Sequence, residues 1–254
     1  MLTFEKLVEG FRELGVKEGD TLLVHSSYKS LGEVDGGPQT VIRALETALG
    51  TDKNGTLIMP TFNFDFNKGV PWDVRKTRSK MGALTEIVRT DPRAKRVFHP
   101  FYSFAVLGKH AEMLGSLRYK SAYERNSVFG KLRDLDGKIM VIGLSYNDSM
   151  TFFHHIEQME GVDYRFLKQF TGEVTDENGN TYTDTFEMLV RDIDKGVMTM
   201  VDPMGALMEQ AGVIQSAKIG EADVKLMKAN EVYEFTAREM KRDPHLLYYI
   251  KKDS

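Results

Sequence analysis

Apolar positions change period repeatedly along this chain. Phe4, Leu7, Val8, Phe11 and Leu14 recur at three- and four-residue intervals and stop at Gly15, which predicts a helix over residues 4–14 with one buried face. Thr21-Leu-Leu-Val-His25 is a short apolar run between Glu18-Gly-Asp20 and Ser26-Ser27, the pattern of a buried strand. Pro38 then stands where a first-turn proline belongs, and residues 41–49 carry a helical stripe closed by Gly50. Thr56-Leu-Ile-Met59 predicts the next strand, stopped by Pro60. Residues 61–80 have no clean period and are expected to form a long surface loop, the kind of segment that often carries function. A helix is expected over 81–89, ending before Pro92.

The second half alternates in the same way. Residues 103–107 and 138–142 predict strands and 110–117 a helix, while Thr151-Phe-Phe-His-His-Ile-Glu157 opens another helix after the second of these strands. From 173 to 191 polar and β-prone residues flank Asp176-Glu-Asn-Gly-Asn180, a strong hairpin signal. Residues 222–251 read as charged-faced helices broken at Pro244. No repeat, low-complexity tract or linker interrupts the chain. These elements predict a three-layer α/β/α sandwich with a central mixed sheet, plus a C-terminal antiparallel ribbon and helices. One domain is expected over 1–254, its core motifs within 1–172 and its ribbon and helical decoration within 173–254.

Composition narrows the function more than the fold. A formal net charge of −3 over 254 residues gives no basic field for nucleic acid or an anionic membrane, and suits a cationic substrate better. With no cysteine, disulfides, thiolate zinc sites and a cysteine nucleophile are excluded. The opening residues mix acid and base instead of forming a signal-type apolar core, and no apolar run reaches the roughly 18 residues of a membrane span. A soluble cytoplasmic protein is expected.

The chemistry concentrates in four places. On a helix, residues three apart share a face, so His154 and Glu157 are expected to form a base and its carboxylate partner, while His155 turns about 100° away. The bland alternative is a core-filling His154 and a solvated Glu157. The loop from Val24 to Gly37 offers hydroxyls, backbone donors and glycines between a strand and a helix start, a place suited to phosphate. It lacks P-loop and dinucleotide-fingerprint spacing. His99-Pro-Phe-Tyr-Ser-Phe104 sets a histidine, hydroxyls and aromatics at a strand entry. Asp65, Trp72 and Asp73, with Phe62, Phe64 and Phe66, could lay carboxylates and an apolar wall along a cationic sugar, or could simply pack a lid.

Together these stretches resemble one family. Val24-His-Ser-Ser27 with Leu31-Gly32 and Gly36-Gly37, Gly55-Thr-Leu-Ile-Met-Pro-Thr61, Met81-Gly-Ala-Leu-Thr-Glu86, Arg96-Val-Phe-His-Pro-Phe-Tyr-Ser-Phe104, Ser127-Val-Phe-Gly-Lys-Leu132 and Thr151-Phe-Phe-His-His-Ile-Glu157 are similar, in this order, to the aminoglycoside 3-N-acetyltransferases. The resemblance implies transfer of an acetyl group from acetyl-CoA to a primary amine of an amino sugar or aminoglycoside, without metal or covalent enzyme intermediate, with an amino-sugar N-acyltransferase of glycan biosynthesis in the same family as the alternative. It implies His154 as general base, assisted by Glu157, with Thr151 or the Ser26-Ser27 turn stabilising the oxyanion. It further implies a coenzyme A site lined by His25, Ser26, Ser27, Ser30, Leu31 and Gly32 and by His99, Tyr102, Ser103 and Phe104. This sequence has His155 where the family usually carries an aromatic or aliphatic residue; the spacing to Glu157 selects His154. The expected partners are the thioester and the cationic sugar, with the protein a monomer or homodimer. Two rival classes stay open: a metal-dependent hydrolase using His25, His99, His154, His155 and Glu157, and a noncatalytic sugar-binding protein of the same fold.

Overall fold

A computed structural model describes residues 1–251. In chain order the elements are α1 (Phe4–Leu14), β1 (Thr21–Ser26), α2 (Pro38–Leu49), β2 (Thr56–Pro60), β3 (Trp72–Asp73), α3 (Ala83–Thr90), β4 (Lys95–Arg96), β5 (Phe104–Gly108), α4 (Ala111–Gly115), α5 (Val128–Asp134), β6 (Lys138–Ile142), α6 (Tyr146–Ser149) and α7 (Phe152–Glu160). There follow β7 (Arg165–Thr175), β8 (Thr181–Arg191), β9 (Val197–Thr199), α8 (Asp202–Gln210), β10 (Gln215–Ile219), β11 (Ala222–Lys228), α9 (Ala229–Arg242) and β12 (Tyr248–Ile250).

Among the described residues the main sheet has seven strands in the order β10-β11-β6-β1-β2-β5-β4. The central strands β6, β1 and β2 are parallel, and β11 and β5 flank them antiparallel, so the sheet is mixed. Alternation of side chains builds two cores from single strands. Leu22, Val24, Leu57 and Met59 pack with Leu7, Phe11, Val41 and Leu45 under α1 and α2. Leu23, Ile58, Ile139 and Val141 face the other way, against Phe129, Ile156, Met204 and Val232 of α5, α7, α8 and α9. Helices cover both faces, giving the expected three-layer α/β/α sandwich.

Three expectations change. The ribbon is longer than its turn suggested: β7 and β8 pair from Arg165↔Arg191 to Thr175↔Thr181, so position 172/173 falls inside a strand. Residues 222–228 are a sheet strand, not a helix. Ala222, Val224 and Leu226 are buried while Asp223 and Lys225 point away, a two-residue period that belongs against β6. The part after residue 173 therefore completes the central sheet as well as decorating it. Residues 61–80 are not a loose surface loop either: Trp72 and Asp73 pair with β7, and Phe66, Trp72 and Val74 form a small core with Phe98, Phe101, Val174 and Phe186 beneath the ribbon.

Candidate active site

The parallel strands β1 and β6 lie side by side, with Ser26 opposite Ile142. Their carboxyl ends bring together the Ser26–Gly32 turn and the segment leading into α7, where open α/β sheets place ligands. The approach is close. Gly143 sits at φ +61, and a Cβ there would lie 1.8 Å from Ser30 Oγ, so glycine is required where the two loops touch. Ser27 N–H donates to Ile142 O at 2.8 Å, and Ser30 Oγ donates to Ser27 O at 2.7 Å, fixing the turn.

Helix α7 is anchored by Phe152, Phe153 and Ile156 in the core and stopped by Gly161 in the left-handed region, φ 67. His154 Nδ1 lies 2.5 Å from Glu157 Oε2. The side chain of His154 is 19% exposed and that of Glu157 is 0% exposed. Past Gly161 the chain turns back over the carboxylate. Tyr164 OH donates to Oε1 at 2.9 Å, and Arg165 Nε stands 2.7 Å from Oε2 as an ion pair, its N–H not aimed along the contact. Burial pushes the Glu157 carboxyl up, but His154 and Arg165 outweigh it and hold the carboxyl below its usual value. Burial, followed by the Glu157 charge, raises Tyr164 far enough to keep it a donor.

An ionised carboxylate only accepts hydrogen bonds, so Nδ1 of His154 must carry the proton it shares with Glu157. The lone pair is then on Nε2. This arrangement can take a proton at Nε2 and stabilise the resulting imidazolium from the other side of the ring. His155 lies in the core, as the helical offset requires: its Nδ1 donates to Tyr123 O at 2.7 Å, Nε2 has no partner, and burial pushes it down to about 4. Thr151 carries a buried hydroxyl without a partner at the start of the same helix.

The second group of predicted residues divides. His25, Ser26 and Ser27 line a cavity of about 450 Å³ together with Lys29, Lys80 and Asp148. His25 Nε2 is buried without a partner, and burial lowers its pKa to about 4. Ser30, Leu31 and Gly32 shape the turn from behind: Leu31 is buried, and its carbonyl accepts from Glu221 N. His99, Ser103 and Phe104 are buried and line none of this surface. His99 Nδ1 accepts from the backbone N–H of Phe101 and Tyr102, at 3.3 and 3.1 Å, and its Nε2 donates to Lys120 O. It holds the turn before β5 instead of a ligand. Ser103 Oγ meets Thr61 Oγ1 and receives Arg96. Tyr102 belongs to a chain of ring contacts that runs from His25 through Phe62, Tyr102 and Tyr123 to His154, with centroids 6.5, 5.0, 4.9 and 5.5 Å apart.

The sugar-facing set is not gathered at His154. Trp72 is buried in the core beneath the ribbon, edge-on to Phe98 and under the Arg96 guanidinium, so it has no face to offer. Asp73 accepts from the backbone N–H of Arg75 and Lys76, closing its own turn. Asp65 pairs with Lys80 and Lys68. Among the described residues no three His, Asp or Glu side chains converge as metal ligands, and no helix is long and apolar enough to cross a membrane.

The family model described as aminoglycoside 3-N-acetyltransferase matches residues 23–241. The chain belongs to this family. As such it is an acyltransferase, and several of its curated relatives match along about nine tenths of their length. A SPbeta prophage-derived aminoglycoside N(3')-acetyltransferase-like protein of Bacillus subtilis (strain 168) is 27% identical over 93% of this chain and 91% of that protein. Aminoglycoside N(3)-acetyltransferase III of Pseudomonas aeruginosa is 27% identical over 93% and 92%. Among solved structures, aminoglycoside acetyltransferase AAC(3)-Xa superposes with a TM-score of 0.84 at 24% identity over 95% and 93%. AAC-IIIb in a binary complex with CoASH gives 0.82 at 21% identity over 99% and 99%, and sisomicin-bound AAC-VIa gives 0.81 at 21% over 94% and 98%. Sequence reasoning about this acetyltransferase missed Tyr164 and Arg165, which reach Glu157 only through the turn at Gly161. A buried carboxylate's need for a cation was the available signal.

Proposed function

We propose that this enzyme transfers the acetyl group of acetyl-CoA to a primary amine of an amino sugar, with His154 as general base. The observation that carries the reading is a partly exposed imidazole whose Nδ1 is held by a buried, ionised carboxylate 2.5 Å away. The amine nitrogen attacks the thioester carbonyl and gives its proton to Nε2. The carbonyl oxygen becomes an oxyanion, for which the Thr151 hydroxyl is the donor without another partner; as the oxyanion collapses the C–S bond breaks. The proton on Nε2 then passes to the leaving thiolate, so the enzyme ends as it began. Support for coenzyme A comes from the relative that binds CoASH and from the cavity at His25, Ser26 and Ser27, where Lys29 supplies positive charge. Glu157 orients His154 and does not meet the acceptor, because both of its oxygens are occupied and neither is exposed.

The relative with sisomicin bound supports an aminoglycoside-type acceptor. In this reading the whole chain is one catalytic unit working in the cytoplasm. Release of free coenzyme A is the test, scored against aminoglycosides and nucleotide-linked amino sugars with wild type and His154→Ala. Turnover of one acceptor class by wild type and its loss in the variant are expected. Full turnover by the variant would remove the base, and no turnover of any amine by wild type would make this a binding protein.

A further inference from the structure

Four segments distant in sequence close a ring around Glu157. Tyr164 OH bonds Oε1 at 2.9 Å, and Arg165 Nε lies 2.7 Å from Oε2, the oxygen that also holds His154. The far end of the same guanidinium, Nη2, donates to Thr199 Oγ1 at 2.8 Å. Thr199 is paired with Tyr248 across β9 and β12. The Tyr248 ring stacks on Tyr164 with centroids 3.8 Å apart and planes 22° apart, which returns the ring to its start. Glu157, Tyr164, Arg165 and Tyr248 are buried, the Arg165 side chain to 4% exposure, and Thr199 is half-buried at the edge of the ring. We propose that Tyr164, Arg165 and Thr199 are positioning residues that fix the Glu157 carboxylate, and through it His154, and that the β9–β12 pair near the end of the chain is their anchor.

The physical need is specific. A carboxylate held only by the imidazole could rotate about its last bond and swing the ring with it. Contacts to both oxygens from one side remove that freedom. Arg165 alone would supply charge, but a guanidinium held at one end only is itself mobile; its second hold on Thr199 makes it a strut between α7 and β9. Tyr248 lies beyond the stretch matched to the family model, so this anchor is a feature read from the structure of this chain.

The inference rests on His154 as the base, so the experiment includes both. Full-length Tyr164→Phe and Thr199→Val remove one hydroxyl each and keep shape. Assayed with acetyl-CoA and an aminoglycoside that wild type turns over, each is expected to lose roughly 10-fold in kcat with the KM for acetyl-CoA unchanged. Arg165→Met removes a cation facing Glu157, which His154, Tyr164 and Tyr123 also face. Protons near a lost cation are harder to remove, so the acid limb of kcat/KM moves to higher pH. In Thr199→Val no charge changes and the limb stays. Arg165→Lys restores the limb but not kcat, because an ammonium cannot span Glu157 and Thr199. Wild-type kcat in both hydroxyl variants while His154→Ala is inactive would overturn the positioning role alone. An active His154→Ala would overturn the base and this role with it.

Discussion

His25 lies at the end of one parallel strand and His154 follows its neighbour at the same end of the sheet, yet the protein equips them differently. His25, at the end of β1, has a buried Nε2 with no partner, and burial alone drives it down to about 4. His154, after β6, shares a proton with a carboxylate that is itself held by Arg165 and Tyr164. The difference is what each ring can do with a second proton. An imidazolium at His25 would be desolvated with no hydrogen-bond partner at Nε2, so the ring stays neutral and suits contact with a ligand. At His154 the imidazolium has a counter-charge waiting.

His154→Ala tests the stronger side of that contrast and should lower kcat by roughly 10²- to 10⁴-fold, the usual worth of a positioned base, in a steady-state coenzyme A release assay. Glu157→Gln should cost about 10²-fold, because the amide keeps the shape but removes the charge that holds the imidazolium. If the amide variant retains full activity, the carboxylate is not what separates the two histidines. His25→Ala should act on the other axis: the KM for acetyl-CoA rises roughly 10-fold while kcat holds, since one cavity contact and no proton step is lost. A kcat loss equal to that of His154→Ala would break the comparison outright.

The two regions were also unequally legible. The His154–Glu157 pair is local, three residues apart on one helix, and spacing alone predicts the contact. The struts on Glu157 are not local: Tyr164 depends on a left-handed turn at Gly161, and Thr199 on a strand that pairs with residue 248. At the other site the order of motifs located the β1 turn, but burial could not be read from it. His99 looks like a ligand residue in sequence because a histidine beside hydroxyls has the right chemistry; its ring instead answers two backbone N–H groups. Trp72 misled for a related reason. An aromatic loop reads as a lid until the ribbon that covers it is known, and that ribbon lies a hundred residues on. The strand over 222–228 is legible, since Ala222, Val224 and Leu226 alternate with Asp223 and Lys225, a period of two and not the 3.6 of the charged-faced helix that follows it.

Solution pH should expose the same contrast in stability. His25, His99 and His155 are lowered by burial to about 4, 3 and 4, from an ordinary 6.5. Between 6.5 and these values the unfolded chain binds protons that the folded chain refuses, so stability is full above about pH 6.5 and falls as the pH drops below it. Each histidine contributes at most about 1.4 kcal/mol per pH unit in that window. Urea midpoints at pH 7.5 and 5.0 should therefore differ more in wild type than in His25→Leu, which removes one of the three groups. Equal differences would mean that His25 is not desolvated as its burial indicates.

The smallest expected effect isolates the neighbour of the base. His155→Phe replaces a fully buried ring with an apolar one of similar size. The change removes the bond from Nδ1 to Tyr123 O, which costs about 1 kcal/mol, and also removes a buried Nε2 with no partner, which offsets much of that cost. The urea midpoint at neutral pH should shift little, and kcat should stay at the wild-type value. Adjacent histidines on one helix would then differ by several orders of magnitude in their effect on turnover, with identical chemistry and opposite faces. A loss of kcat in this variant matching that of His154→Ala would mean that the face, and with it Glu157, does not select the base.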